Sequence, residues 1–375
     1  MRLLLPAGLA LGLVVTACGK DSPTPTDFND PVAVSSNLSS VDSAFDSDVF
    51  RSFSAATLNL DAALQASGLR AVTAILQTSR VKLARAGGRA LLPGILQSQR
   101  LRAVIPTLSV AAAQGRIIPD SMYGRVFEWD SVGNQYTYQG GSVTQNGVRF
   151  VLYATDLGDQ VVEPVIPIGT LDIIDESTLS KLQLHVSVKN SAGTTTYVDY
   201  TASLQPNGQT SVTETATGSI SNGLSAGSNK TLTFDQTLTV NGGGASIHST
   251  FALNNPAITL MLNESVTLGD QDFVINADFR VIQNGETIRT LARLTLNTLD
   301  VTTMANISVY VDGHPVASIN GDLANPATQW VDAGGEPLTA DDLEALDHLF
   351  DALENFQNAV GNMFLPISTL GGAGI

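Results

Sequence analysis

The chain has 375 residues, 35 acidic against 19 basic, for a net charge of −16 and a pI near 4.4. An excess of that sign excludes recognition of nucleic-acid phosphates, which takes a basic stripe. A single cysteine, Cys18, excludes an intramolecular disulfide framework, so stability has to come from a buried core.

Residues 1–17 read as a targeting segment. Met1-Arg2 supplies a short positive start, and Leu3 to Val15 an apolar run of thirteen residues, well short of the ~20 that a membrane-spanning helix needs. The stretch Val15-Thr16-Ala17-Cys18-Gly19 then resembles the lipobox of bacterial lipoproteins. That resemblance implies cleavage before Cys18, a diacylglyceryl group on its thiol and acylation of the new amino group. One acyl chain binds a membrane only marginally, whereas two or more hold a protein there. Glycine, not aspartate, follows the cysteine, which by the enterobacterial sorting pattern implies the outer membrane. Within Gly19 to Asp27 the run Pro23-Thr24-Pro25-Thr26 alternates proline and threonine, as in an extended, solvated tether, so 18–40 is expected to be the lipidated cysteine and its spacer.

Residues 41–119 are expected to be helical and basic. Val41, Phe45, Val49, Phe53, Leu60 and Leu64 recur at helical multiples between aspartates, and Leu69, Val72, Leu76 and Leu83 continue the pattern toward Gly87-Gly88. From Ala62 to Pro119 there is no acidic residue, while seven arginines and Lys82 give the stretch +8. These cations either meet anionic lipid head groups or neutralise the acidic remainder of the chain. The second reading is favoured, because charge asymmetry names no particular partner.

From Tyr123 the hydrophobic period changes to two. Leu182, Leu184, Val186 and Val188 alternate with polar residues, as do Leu232, Phe234, Leu238 and Val240, and later Phe273, Ile275, Ala277, Phe279 and Val281. Such strands bury one face and wet the other. Between them stand Asn146-Gly147, Asn207-Gly208, Asn222-Gly223, Asn241-Gly242, Asn284-Gly285 and Asp312-Gly313, dipeptides that supply the positive φ of hairpin turns. Short connections exclude parallel crossovers, so 120–335 is expected to be a mainly β domain. It reads as an antiparallel meander of roughly a dozen strands, a size at which a sheet curls or splits into a sandwich or half-barrel. A transmembrane barrel is set aside for want of aromatic girdles and a terminal aromatic.

In 336–375 a helix is expected, capped by Thr339 with Asp342 at its third position, and striped by Leu343, Leu346, Phe350, Leu353 and Val360. The tail beyond Pro366 is expected to fray.

Few residues carry chemistry. His185, His248, His314 and His348 stand at no metal-ligand spacing from one another, and no nucleophile elbow, phosphate loop or His-Glu-x-x-His occurs. Ser79-Arg80-Val81-Lys82 matches Ser-x-x-Lys without its Lys-Thr-Gly companion, and Asp270-Gln271-Asp272 lacks the spacing of a calcium loop. Glu344, His348 and Asp351 share one helical face by their offsets, where a solvated face is the favoured reading over a metal or acid/base site. No catalytic residue, metal or cofactor is therefore expected. Glu264 stands out, in register with Ile258, Leu260, Leu262, Val266 and Leu268. A carboxyl on an apolar face is either a polar anchor in a cavity or a strand end reaching water.

Helices, a long meander and a lipid anchor resemble, in outline, the lipoprotein-carrier half-barrel family, with no family motif shared. The resemblance implies a non-catalytic protein at the membrane, tied there by lipid on Cys18 and binding a hydrophobic ligand or lipid. The alternative is a structural or adhesive surface module that meets protein or glycan. Replacing Cys18 by Ser is expected to abolish incorporation of labelled acyl chains; continued labelling of the variant would refute the lipobox reading.

Overall fold

The computed structural model describes residues 116–350, except 119, 134, 144–145, 157–160, 209, 226, 270–271, 298–302, 324, 326 and 347–348. Cys18, the tether, the helical expectation over 41–115 and the tail after 350 lie outside the described residues.

A 3-10 turn at Asp120–Met122 leads into fourteen strands. They are β1 (Val126–Asp130), β2 (Gln135–Tyr138), β3 (Gly147–Tyr153), β4 (Pro167–Asp175), β5 (Leu182–Asn190), β6 (Thr196–Pro206) and β7 (Ser211–Ser221). The second half comprises β8 (Thr231–Asn241), β9 (Gly244–Asn254), β10 (Ala257–Leu268), β11 (Asp272–Gln283), β12 (Glu286–Asn297), β13 (Thr303–Val311) and β14 (His314–Asp322). All belong to one sheet, ordered β14 to β3 without a break and then β1 and β2. The sheet neither splits into a sandwich nor closes into a barrel, since β14 and β2 remain edges.

Local chemistry accounts for the meander. At Asn284-Gly285 the φ angles are 52° and 86°, and at Asp312-Gly313 49° and 85°, the doubly left-handed geometry of a tight hairpin whose twist matches its strands. Asp312 also accepts the Thr287 N–H through Oδ1 at 2.8 Å, tying that turn to the neighbouring strand. In β8, Leu232, Phe234, Leu238 and Val240 are buried while Thr233 and Asp235 are exposed, as the alternation demands.

One pairing departs from expectation. Beyond β2 the chain turns at Gly140 and Gly141, both at positive φ, and returns along the far side of β1. There β3 pairs with β1 in parallel, Phe127 opposite Phe150. The physical reason is aromatic packing: Phe127 stacks on Phe150 at 4.9 Å and Tyr136 meets Phe150 edge-on at 5.5 Å. The four-residue β2 is left outside as a short edge, which limits strand addition. At the other edge Ser318 and Val331 exchange two backbone hydrogen bonds of 2.8 Å, so a loop residue covers part of β14.

The inward face is continuous. Tyr200, Phe234 and Phe251 form an aromatic run at centroid separations of 5.9 and 6.4 Å. Gly218 lies opposite Tyr200, where any side-chain carbon would overlap it. Ahead of the sheet, Asp175 at the end of β4 accepts the N–H groups of Ile117 and Ile118 through Oδ2, at 2.6 and 2.8 Å. That buried carboxyl anchors the segment that enters the domain.

The C-terminal helix, α1, covers 340–346 and 349–350. Thr339 caps it as expected: its hydroxyl donates to Asp342 Oδ2 at 2.6 Å and accepts the Asp342 N–H at 3.3 Å. Its buried stripe is rotated from the expected one. Ala345, Leu346 and Leu349 are buried while Leu343 is exposed, and Phe350 packs on Trp330 at 6.2 Å.

Candidate functional site

The inward face is apolar except for a band across β7 to β12, and the ladders define its geometry. Glu214 on β7 stands opposite Leu204 and Leu238, and Glu264 on β10 opposite Ile247 and Ala277. Leu238 and Ile247 are themselves opposite each other, so both carboxyls lie in one row across the sheet, separated by two strands. Three strand spacings place their backbones about 14 Å apart along that row. The adjacent row carries Ala216, Gln236, Ser249, Leu262, Phe279 and Thr290.

All the polar members of this band are buried, Glu264 with 4% of its surface exposed and Glu214 with 7%. Neither Glu264 oxygen has a hydrogen-bond partner, nor do Gln236 Oε1 and Thr290 Oγ1. Each such group costs about 1–3 kcal/mol against a satisfied one. Removal from water disfavours the ionised form, and burial pushes Glu264 up to about 8 and Glu214 up to about 7. At neutral pH Glu264 is thus a carboxylic acid able to donate one hydrogen bond and accept others. Beside it Ala277 and Ala292 continue the row with short side chains. The arrangement places a hydrogen-bond donor, the Glu264 carboxyl, within an apolar surround. It lacks the paired nucleophile and base of covalent catalysis.

The sequence singled out Glu264 but not Glu214, Gln236 or Thr290. The first two also fall in step with apolar neighbours, Glu214 with Val212, Ala216 and Ile220, and Gln236 with Phe234 and Leu238. In both strands threonine on the opposite face blurs the contrast. Of the histidines, His185 meets Asp199 at 2.8 Å on the polar face. His248 bonds Asn263 there too, and His314 begins β14 after its turn. Glu344 is on α1, but His348 and Asp351 fall outside the described residues, as do Ser79, Lys82, Asp270 and Gln271. Among the described residues no cluster of three His, Cys, Asp or Glu could hold a metal, and no helix is long and apolar enough to cross a membrane.

No protein-family model, curated protein or solved structure matches the chain.

Both glutamates give a pH signature with a definite sign. Between the ordinary 4.5 and about 7 or 8, the fold retains protons that the unfolded chain has released. The contribution of these two groups to stability is therefore fully present below their ordinary range and falls as pH rises through that window, by up to about 1.4 kcal/mol per pH unit for each group. Denaturant unfolding of the wild type and of the Glu214→Gln/Glu264→Gln variant, from pH 5 to 8.5, is expected to show the variant gaining relative stability with pH. Parallel curves would show that both carboxyls reach water.

Proposed function

We propose that this chain is a lipid-anchored protein of the bacterial cell envelope, held through Cys18, that binds a hydrophobic ligand or lipid without catalysis. The outer membrane is its proposed location, on the sequence pattern at Cys18-Gly19. The observation that carries the binding reading is the unpartnered carboxyl of Glu264, buried among Ile247, Ala277, Leu262 and Val266 on the inward sheet face.

A core selected for stability alone would fill that position with an apolar residue of similar volume, since unsatisfied polar groups oppose folding. The carboxyl's presence is explained by a ligand that brings the missing partners. An acyl chain would lie along Leu262, Phe279 and their neighbours, and an ester, amide or carboxyl head would meet the Glu264 proton. The half-barrel resemblance points the same way, by architecture alone.

The reading separates stability from binding. Glu264→Leu is expected to raise resistance to denaturant, because it removes two unsatisfied oxygens, while weakening uptake of a fluorescent fatty acid by the full chain carrying Cys18→Ser. Native mass spectrometry of that chain is expected to show co-purifying lipid. Stabilisation with undiminished uptake would remove Glu264 from the site; no lipid and no probe binding would end the carrier reading.

A further inference from the structure

The opposite face of the same sheet carries a second concavity, an open groove of about 740 Å³ across β8 to β13. Its floor is built in rows by the strand register. Ser246, Ser265, Asn276, Arg293 and Asn306 follow one another on successive strands. In the next row but one, Arg280 and Arg289 are directly opposite each other. Like charges so placed repel, and Asp278 resolves the conflict by accepting from both. Its Oδ1 and Oδ2 lie 3.1 and 2.8 Å from Arg280, and 2.9 Å each from Arg289. The two guanidiniums hold the Asp278 carboxyl well below the usual carboxylate range.

Asp278 is thus fully engaged, and Arg293 is left over. It is exposed, flanked by Asn276 and Asn306, and pairs with no carboxylate among the described residues. Arg293 is the arginine that lines the groove, together with Asp278, whose charge is already met by Arg280 and Arg289 beyond the lining. Around them stand amides and hydroxyls, with half-buried Leu291 and Tyr310 as apolar surface. Amides and hydroxyls hydrogen-bond hydroxyls, Leu291 and Tyr310 suit the C–H face of a sugar ring, and a free guanidinium takes a carboxylate in two parallel hydrogen bonds. Within a row the residues repeat at the strand spacing of about 4.8 Å, close to the length of one pyranose unit in a chain.

We infer that this groove binds an acidic glycan, a chain of hydroxylated rings bearing carboxylates, laid across the strands with one carboxylate on Arg293. The inference is independent of what the inward face holds. A phosphodiester chain would need a stripe of cations, whereas Arg293 is the unpaired cation of the lining, and a floor of amides and hydroxyls lacks the apolar centre of a protein hot spot.

Titration calorimetry with the full chain carrying Cys18→Ser tests it, using an oligogalacturonate, a neutral malto-oligosaccharide of equal length, and vesicles containing phosphatidylglycerol. The oligogalacturonate is expected to bind, more weakly as salt rises. Arg293→Gln, an exposed change that leaves the core untouched, should weaken that binding roughly tenfold or more, the loss of a charge-assisted pair. Asn306→Ala should weaken it less. Absence of oligogalacturonate binding, unchanged affinity in Arg293→Gln, or equal binding of the neutral chain would overturn the inference. So would Arg293-dependent binding of the vesicles alone, which would assign the groove to lipid phosphate.

Discussion

A single layer of hydrogen-bonded strands cannot withdraw its apolar face from water unless it curls or meets another element. Here fourteen strands form that one layer, and the constraint propagates through the rest of the molecule. Hairpins between sequence neighbours impose a period of two, interrupted by register shifts at Val188/Lys189 and Val309/Tyr310, so the strands from β4 onward contribute to the same apolar face and the same polar face. The inward side chains are almost wholly removed from solvent, and α1 adds Ala345, Leu346 and Leu349 to that buried set. The bonds that Asp175 accepts from Ile117 and Ile118, and the pair between Ser318 and Val331, matter because they hold the flanking segments to this layer.

Against this background the polar band gains its meaning. Where burial and ionisation compete at Glu264, burial wins: with no cation and no N–H donor beside it, the carboxyl keeps its proton. Asp278 shows the opposite outcome on the other face, where two arginines outweigh partial burial. The same sheet therefore presents a neutral acid inward and, outward, a polar groove with Arg293 exposed on its floor. The two faces differ in their chemistry, and the alternation of side chains keeps them apart.

Much of the fold was legible because alternation and turn chemistry are local. The strands around Leu182–Val188, Leu232–Val240 and Phe273–Val281, the left-handed turns at Asn284-Gly285 and Asp312-Gly313, and the Thr339 cap depend on residues a few positions apart. The parallel β1–β3 pair was not legible, because it rests on Phe127 meeting Phe150 across a loop whose path no dipeptide specifies. The rotated stripe of α1 was misread for a related reason: Leu343 and Leu349 suit either face by type, and packing decides. At the site, Glu264 stood out among leucines and isoleucines. Glu214 hid among threonines, and the Arg280–Arg289–Asp278 cluster depends on cross-strand register, which emerges only once the strands are paired.

The central claim is that Glu264 is a neutral acid sealed within the inward face. Carbon-13 NMR of the carboxyl carbons in glutamate-labelled protein, titrated from pH 4 to 9 and assigned with Glu264→Gln, reads this directly. The expected result is a resonance that stays in its protonated position through neutral pH, titrates near 8 and vanishes in the variant. Titration of every glutamate in the ordinary range around 4.5 would contradict it, since a carboxyl that ionises normally has water beside it.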